Sequence, residues 1–150
     1  MTMKLGMEAR LYYDAAGMSE SPTWTELTNV RDLTLNLEKG EADVTTRASS
    51  GWRATEGTLK DASVEFEMVW DTLDAGFTAI KDAYFGGTPI ALAIMDGAVD
   101  ADGSQGLWAD FSIISFSRSE PLEEGISVSV TAKPAYNPTY PPEWKEISGA

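Results

Sequence analysis

Apolar and polar residues alternate along much of the chain, which is the pattern of half-buried β-strands. The clearest case is the segment 62–70. A slip of one residue in its register would bury Glu65 and Glu67, so the register should be tightly specified. The face predicted to point into the core carries Val64, Phe66, Met68 and Trp70.

Similar patterns predict further strands on both sides of this segment. They are expected at residues 5–13, 24–28, 33–37, 90–95, 107–117 and 126–132. Residues 90–95 are apolar at every position, which indicates a strand buried on both faces. Within 107–117 the apolar phase shifts, and this predicts a β-bulge near Ile113 and Ile114.

One segment, at about residues 72–85, has the periodicity of a helix. Asp71 is the expected N-cap, with Asp74 three residues further on. The pair Gly86–Gly87 should end the helix. The predicted fold is therefore mainly β, an antiparallel β-sandwich or barrel with one packed α-helix. The apolar stripe of this helix would consist of Leu73, Phe77, Ile80 and Tyr84.

Residues 39–60 do not fit a compact domain. Structureless loops longer than about 12–15 residues are uncommon in small domains. The composition favours a long β-hairpin arm with its turn near residues 48–51, and a mobile surface loop is the alternative. A two-stranded hairpin is marginal by itself, so the arm should become ordered against another molecule. Its candidate contact residues are Val44, Arg47, Trp52, Arg53 and Leu59.

The length of 150 residues favours one domain, predicted at residues 1–134. Residues 135–150 are rich in proline, which predicts an extended C-terminal arm or a disordered tail. No segment has the roughly 20 apolar residues that a membrane-spanning helix needs. The first residues lack the apolar run of a secretory signal, so we expect synthesis and folding in the cytoplasm.

The composition excludes several kinds of chemistry. The chain has no Cys and no His, so thiol nucleophiles, disulfides, imidazole catalysis and ordinary zinc sites are ruled out. Asp96, Asp100 and Asp102 do not fit an EF-hand, because Ala98 and Ala109 would then occupy ligand positions. We therefore predict no catalytic residue, no cofactor and no metal ion.

The formal net charge of −13 opposes binding to phosphate backbones and anionic lipid. It is compatible with simple solubility, and equally with a surface past which nucleic acid moves without being held. The five Trp residues admit a different class, a monomeric carbohydrate-binding β-sandwich. Its stacking residues would be Trp24, Trp52 and Trp108. A carboxylate-based enzyme is a third possibility, for which Glu65 and Glu67 are the candidate acid pair.

Four segments resemble the phage tail tube (major tail) proteins. They are VTTRASSGWRAT at residues 44–55, LKDASVEFEM at 59–68, DTLDAGF at 71–77 and DAYFGGTPI at 82–90. The resemblance implies a fold shared with the tube proteins of type VI secretion and other contractile injection machines. It also implies hexameric rings in which neighbouring sheets form one barrel, and stacking of rings through the arm and termini.

Further expectations follow from this resemblance. The subunit would belong to a virion tail, with tape-measure, tail-terminator and baseplate or tip proteins as partners. It would let DNA pass through the ring without specific binding, and it would not contact a membrane. Alternation along segment 62–70 makes Glu65 and Glu67 the candidate acids facing the lumen. A tube ring of an injection machine is the related alternative.

Overall fold

A computed structural model describes residues 9–120, 122 and 125–148. Within that part the chain is mainly β, as predicted, with eight strands and one α-helix. The first predicted strand begins at Arg10, and residues 5–8 of that prediction lie outside the described part. The strands are β1 (Arg10–Asp14), β2 (Thr25–Glu26), β3 (Val30–Asp43), β4 (Thr55–Val69), β5 (Ile90–Met95), β6 (Gln105–Ser119), β7 (Ser127–Pro134) and β8 (Glu143–Glu146). The helix α1 is Ala75–Gly86.

All strand pairs are antiparallel, and the sheet order is β2-β1-β5-β6-β7-β4-β3 with β8 added beside β6. The long strand β6 changes partners along its length. Its residues from Gly106 to Phe111 pair with β5, whereas those from Phe111 to Ser119 pair with β7. The register shifts between Ile113 and Ser115, which confirms the predicted bulge. Thus β6 connects the part of the sheet that contains β5 to the part that contains β7.

The core lies between the sheet and α1. The inward face of β4 is the one that alternation predicted, and its residues Val64, Phe66 and Met68 are buried. Phe77 and Ile80 of α1 are buried against the same core. Trp70 packs edge-on against Phe77, with 4.8 Å between ring centroids. A smaller apolar cluster covers the other face of β1 and β5, and it contains Tyr12, Trp24, Ala93, Met95, Val99, Trp108 and Ile147.

The helix begins three residues later than the sequence predicts. Asp74 is the N-cap, and its Oδ2 accepts a hydrogen bond from Phe77 N at 2.8 Å. Asp71 instead accepts from Leu73 N at 3.0 Å, which closes the preceding turn. A Cβ on Gly76 would lie 2.2 Å from Leu27 Cδ2, so this glycine lets the helix start pack closely on Leu27.

The predicted helical stripe is correspondingly wrong at its first position. Leu73 precedes α1 and is 94% exposed. The C-terminal end agrees with the prediction, because Gly87 has a φ of +66° and serves as the C-cap.

The C-terminal segment runs along the sheet through the end of its described residues. β8 pairs with Gln105–Trp108 of β6, and Trp144 Nε1 donates to Gln105 Oε1 at 3.1 Å. Ile147 N donates to Ser104 O at 2.8 Å. These bonds tie residues 143–147 to their own subunit. Contact of the segment with a neighbouring subunit stays a prediction.

Candidate functional site

The predicted arm is a hairpin formed by the distal halves of β3 and β4. Pairing continues from Lys39 and Lys60 at its base to Asp43 and Thr55 near its tip. The register shifts at the base, next to Gly40. A Cβ on Gly40 would lie 2.4 Å from Thr58 Oγ1, so the close strand approach at this bulge depends on glycine.

Local hydrogen bonds close the arm tip. Ser49 N donates to Thr46 O at 3.0 Å, and Thr46 N donates to Ser49 Oγ at 3.1 Å. Hydrogen bonds from the hydroxyl and the backbone N–H of Thr45 hold the pKa of Asp43 below its ordinary value. The chain turns at Ser50 and Gly51, both with positive φ, within the predicted turn. The tip therefore has a defined shape without contacting the core.

The five candidate arm residues are all exposed on this hairpin. Trp52 is 79% exposed and Leu59 is 85% exposed. Arg47 and Arg53 are the only charged residues in the segment from Val44 to Thr55. The structure thus places two large apolar side chains and a positively charged tip on a projection from an acidic protein. Single exposed apolar residues are ordinary, but this combination is typical of a contact surface.

Glu65 and Glu67 lie on the outward face of β4, opposite the core. We define the polar face as the outward face of β3, β4, β7 and the part of β6 that pairs with β7. Glu65 lies between Thr34 of β3 and Thr131 of β7, and Glu67 lies next to Ser129. Around these glutamates the polar face carries the hydroxyl groups of Thr34, Ser129 and Thr131, and Arg31 lies opposite Glu67. The structure therefore brings the two acids together on one solvated surface.

The three candidate stacking tryptophans do not form one platform. Trp24 and Trp108 contact each other edge-on, with ring centroids 5.2 Å apart. Both are partly buried in the smaller apolar cluster, and Trp108 Nε1 donates to Met95 Sδ at 3.2 Å. Trp52 lies apart from them on the arm. A sugar would need a flat exposed ring, and the Trp24–Trp108 pair does not present one.

Asp96, the first of the three aspartates in the turn 96–102, has a structural role. Asp96 Oδ1 accepts from Gln105 N at 2.8 Å and closes the turn between β5 and β6. Among the described residues no group of three or more acidic side chains could hold a metal ion. No helix in the described part of the chain is long and apolar enough to cross a membrane.

Sequence analysis missed two features of the molecular surface. The first is which strands have free edges beside the polar face, namely β3 and the part of β6 beyond Phe111 among the described residues, because this depends on the order of strands. The second is an aromatic patch, defined as Tyr84, Phe85 and Phe116. Phe85 is 74% exposed at the end of α1, and its ring centroid lies 6.5 Å from that of Phe116. The two aromatic residues adjacent in sequence were the only signal for the patch.

Comparison with known proteins identifies the family. The family model described as phage tail tube protein matches residues 9–139. The fold is similar to a chain in the tail of an empty gene transfer agent particle, refined with C6 symmetry (TM-score 0.73, 16% identity, 95% of this chain and 99% of that chain covered). It is also similar to the SPP1 tail tube protein (TM-score 0.67, 18% identity, 87% and 75% covered).

A more distant similarity of fold is to a baseplate protein. A chain in the baseplate of the anti-feeding prophage gives a TM-score of 0.59 at 6% identity, with 98% of each chain covered. Among curated proteins, no sequence matches the chain. The family model spans most of the chain and agrees with the β-rich fold and with the resemblance found in the sequence. The chain therefore belongs to the phage tail tube protein family and is a structural subunit of a tail tube.

Proposed function

We propose that copies of this chain join edge to edge into closed rings, which stack into a tube through which DNA passes. The observation that carries this proposal is the pair of free edges on the part of the sheet that bears the polar face. Among the described residues, β3 pairs only with β4 on this side of the molecule. Beyond Phe111, β6 pairs only with β7. Free edges favour pairing with another chain.

The directions of the strands make these two edges compatible. Along the order β6, β7, β4 and β3, each strand is antiparallel to the next. Because four strands alternate, β3 of one copy and β6 of the next would also meet antiparallel. The same contact repeated around an axis is heterologous and closes into a ring when the rotation fits. For the number of copies we propose six, the symmetry applied to the similar gene transfer agent tail.

The polar face is the surface proposed to line the lumen. Glu65 and Glu67 project from it, and the chain as a whole carries a formal charge of −13. Carboxylates on the wall would repel phosphate, so DNA would slide without being held. The opposite face of the same strands is covered by the core and α1, and it is not available to line a channel.

The arm is proposed to contact the next ring in the stack. Its tip carries Arg47 and Arg53, whereas acidic residues outnumber basic ones by 24 to 11 in the whole chain. Attraction between a basic tip and an acidic neighbouring ring would guide stacking. Burial of Trp52 and Leu59 would then contribute the apolar contact area.

The proposed role is structural, without catalysis. Tape-measure, tail-terminator and baseplate or tip proteins are the proposed partners, and the host bacterial cytoplasm is the proposed place of synthesis. The fold similarity to the anti-feeding prophage baseplate also supports the alternative that this chain forms a ring in an injection machine. Membership of the tail tube family favours a phage tail over such a machine.

Light scattering over a wide concentration range, with negative-stain electron microscopy of the same sample, tests the proposal. We expect rings or tubes with a central hole and a ring mass of six chains. A ring of a different size would correct the number of copies while leaving edge-to-edge joining intact. A protein that stays monomeric at every concentration, and also in the presence of preformed tail tips, would overturn the proposal.

A further inference from the structure

The aromatic patch is a contiguous exposed apolar surface at the C-terminal end of α1. The rings of Tyr84 and Phe116 stack at 5.9 Å, and those of Tyr84 and Phe85 lie edge-on at 5.1 Å. Phe85 is 74% exposed although it belongs to a helix that packs on the core. Linked aromatic rings of this kind are costly to leave in water, and such patches mark contact sites.

The patch lies beside one of the two free edges. Phe116 is on the part of β6 that pairs only with β7 among the described residues. It lies opposite Val130, which in turn lies opposite Phe66, so its side chain is on the core side of the sheet. The aromatic patch therefore borders the open edge of β6 from the side occupied by α1.

The other free edge carries a matching apolar row. Beyond Val30, the core side of β3 carries Leu33, Leu35 and Leu37. Leu33 and Leu35 pack against the core and remain partly exposed, and Leu37 is 55% exposed. Beyond β3 no described strand of the same chain covers them. We define these three residues as the leucine row.

From these positions we infer that the aromatic patch of one copy covers the leucine row of the next copy in the ring. The inference rests on the proposed edge-to-edge ring, and it adds a side-chain contact to the strand pairing between neighbouring copies. Strand pairing would join the backbones, and the patch would seal the core side of the joint. Side chains alternate between faces along a strand. A stagger that keeps both cores on one side therefore places Phe116 opposite a core-side residue of β3, and the inferred stagger is one that places it opposite a member of the row.

The molecule that covers the aromatic patch is thus a second copy of this chain. The two surfaces border the only edges by which this part of the sheet can continue in the described residues. Both are apolar and both lie on the core side. Continuing the antiparallel order brings them together without any change in the fold. Hydrophobic contact across the joint would add to backbone hydrogen bonds, whose net contribution is modest because water competes for them.

The absence of native cysteine allows a direct cross-linking test. Phe85→Cys is combined in turn with Leu35→Cys and with Leu37→Cys, and the assembled protein is oxidised. A disulfide needs Cα atoms within about 7 Å. If the patch covers the leucine row, at least one pair should meet this requirement, and we expect a ladder of covalent oligomers on a non-reducing gel. Leu73→Cys, combined with the same leucine variants, is the matched control. Leu73 is 94% exposed but lies before the N-terminus of α1, so no ladder is expected.

A substitution without cysteine gives a second measurement. Phe85→Ser should raise the concentration needed for ring formation at least tenfold. Leu73→Ser should leave that concentration unchanged, and neither variant should move the unfolding midpoint of the monomer appreciably. If rings form, no pair cross-links and Phe85→Ser assembles like the parent protein, the inference is wrong and the ring proposal stands. If the parent protein forms no rings under any condition, the ring proposal and this inference both fall.

Discussion

Asn137 Nδ2 donates a hydrogen bond to Asp110 Oδ2 at 2.7 Å, which links the C-terminal segment to the middle of β6. The other carboxylate oxygen of Asp110 accepts from Met18 N at 2.8 Å. Asp110 is buried, and its backbone carbonyl also accepts from Ala135 N. One carboxylate therefore holds two irregular segments, the loop after β1 and the chain after β7, against the same strand.

Removal of this carboxylate should destabilise the subunit. In Asp110→Ala, Met18 N and the Asn137 amide lose their acceptor, and a donor left unsatisfied costs about 1–3 kcal/mol. We expect the free energy of unfolding in urea to fall by roughly that amount. Asp100→Ala removes an exposed carboxylate from a turn and should change it little. Equal effects of the two variants would show that Asp110 does not anchor these segments.

Stability should decline at high pH partly because of Tyr13. Burial, and secondarily the negative charge of Asp74, raises the pKa of Tyr13 above its ordinary value. The folded protein then holds this proton more tightly than the unfolded chain, whose tyrosines have pKa values of about 10. The resulting stability is fully present below about pH 10 and is lost as the pH rises through the folded pKa.

The Tyr13 contribution can be isolated by substitution. Tyr13→Phe should flatten the fall in unfolding free energy above about pH 10, because the titrating hydroxyl is removed. Tyr136→Phe, at an exposed position outside the core, should keep the slope of the parent protein. If the unfolding free energy of Tyr13→Phe falls with pH as steeply as that of the parent protein, other groups cause the decline.

The polar face should determine how the tube treats DNA. The double variant Glu65→Lys/Glu67→Lys reverses two charges on the proposed wall, so assembled tubes should retain linear duplex DNA at low salt and release it at high salt. A filter-binding assay over a salt series measures this effect. The control Glu20→Lys/Asp100→Lys makes the same change of charge at exposed positions off the polar face.

The two charge-reversed proteins distinguish location from overall charge. DNA retained only by the polar-face variant would support a lumen lined by Glu65 and Glu67. Equal retention by both would show that net charge alone accounts for binding, and it would contradict the proposed orientation of the sheet.

The arm should act in stacking and not in folding. Trp52 is 79% exposed, so Trp52→Ala should leave the unfolding midpoint of the monomer almost unchanged. We expect shorter tubes or isolated rings in electron micrographs, because the apolar contact with the next ring is lost. Leu73→Ala, at a similarly exposed apolar residue outside the arm and the termini, is the control. Tubes of normal length from Trp52→Ala would remove this residue from the stacking contact.

The features that depend on local pattern could be predicted from the sequence alone. Alternation identified the core face of β4, because burying Glu65 and Glu67 in a slipped register would be costly. A long polar segment between two strands predicted the arm, and the change of apolar phase predicted the bulge near Ile113. Each of these signals lies within a short stretch of chain.

The features that depend on contacts between residues distant in sequence became visible only in the folded chain. Asp74 caps α1 in place of Asp71, and the first turn of the helix packs at Gly76 against Leu27, which is distant in sequence. The partners of β6 leave its second half with a free edge, and α1 places Phe85 beside that edge. Strand order and helix position follow from long-range pairing and core packing, which no local pattern encodes. Most of the elements could therefore be predicted from the sequence, with β8 as the exception, whereas the surfaces available for assembly could be found only in the fold.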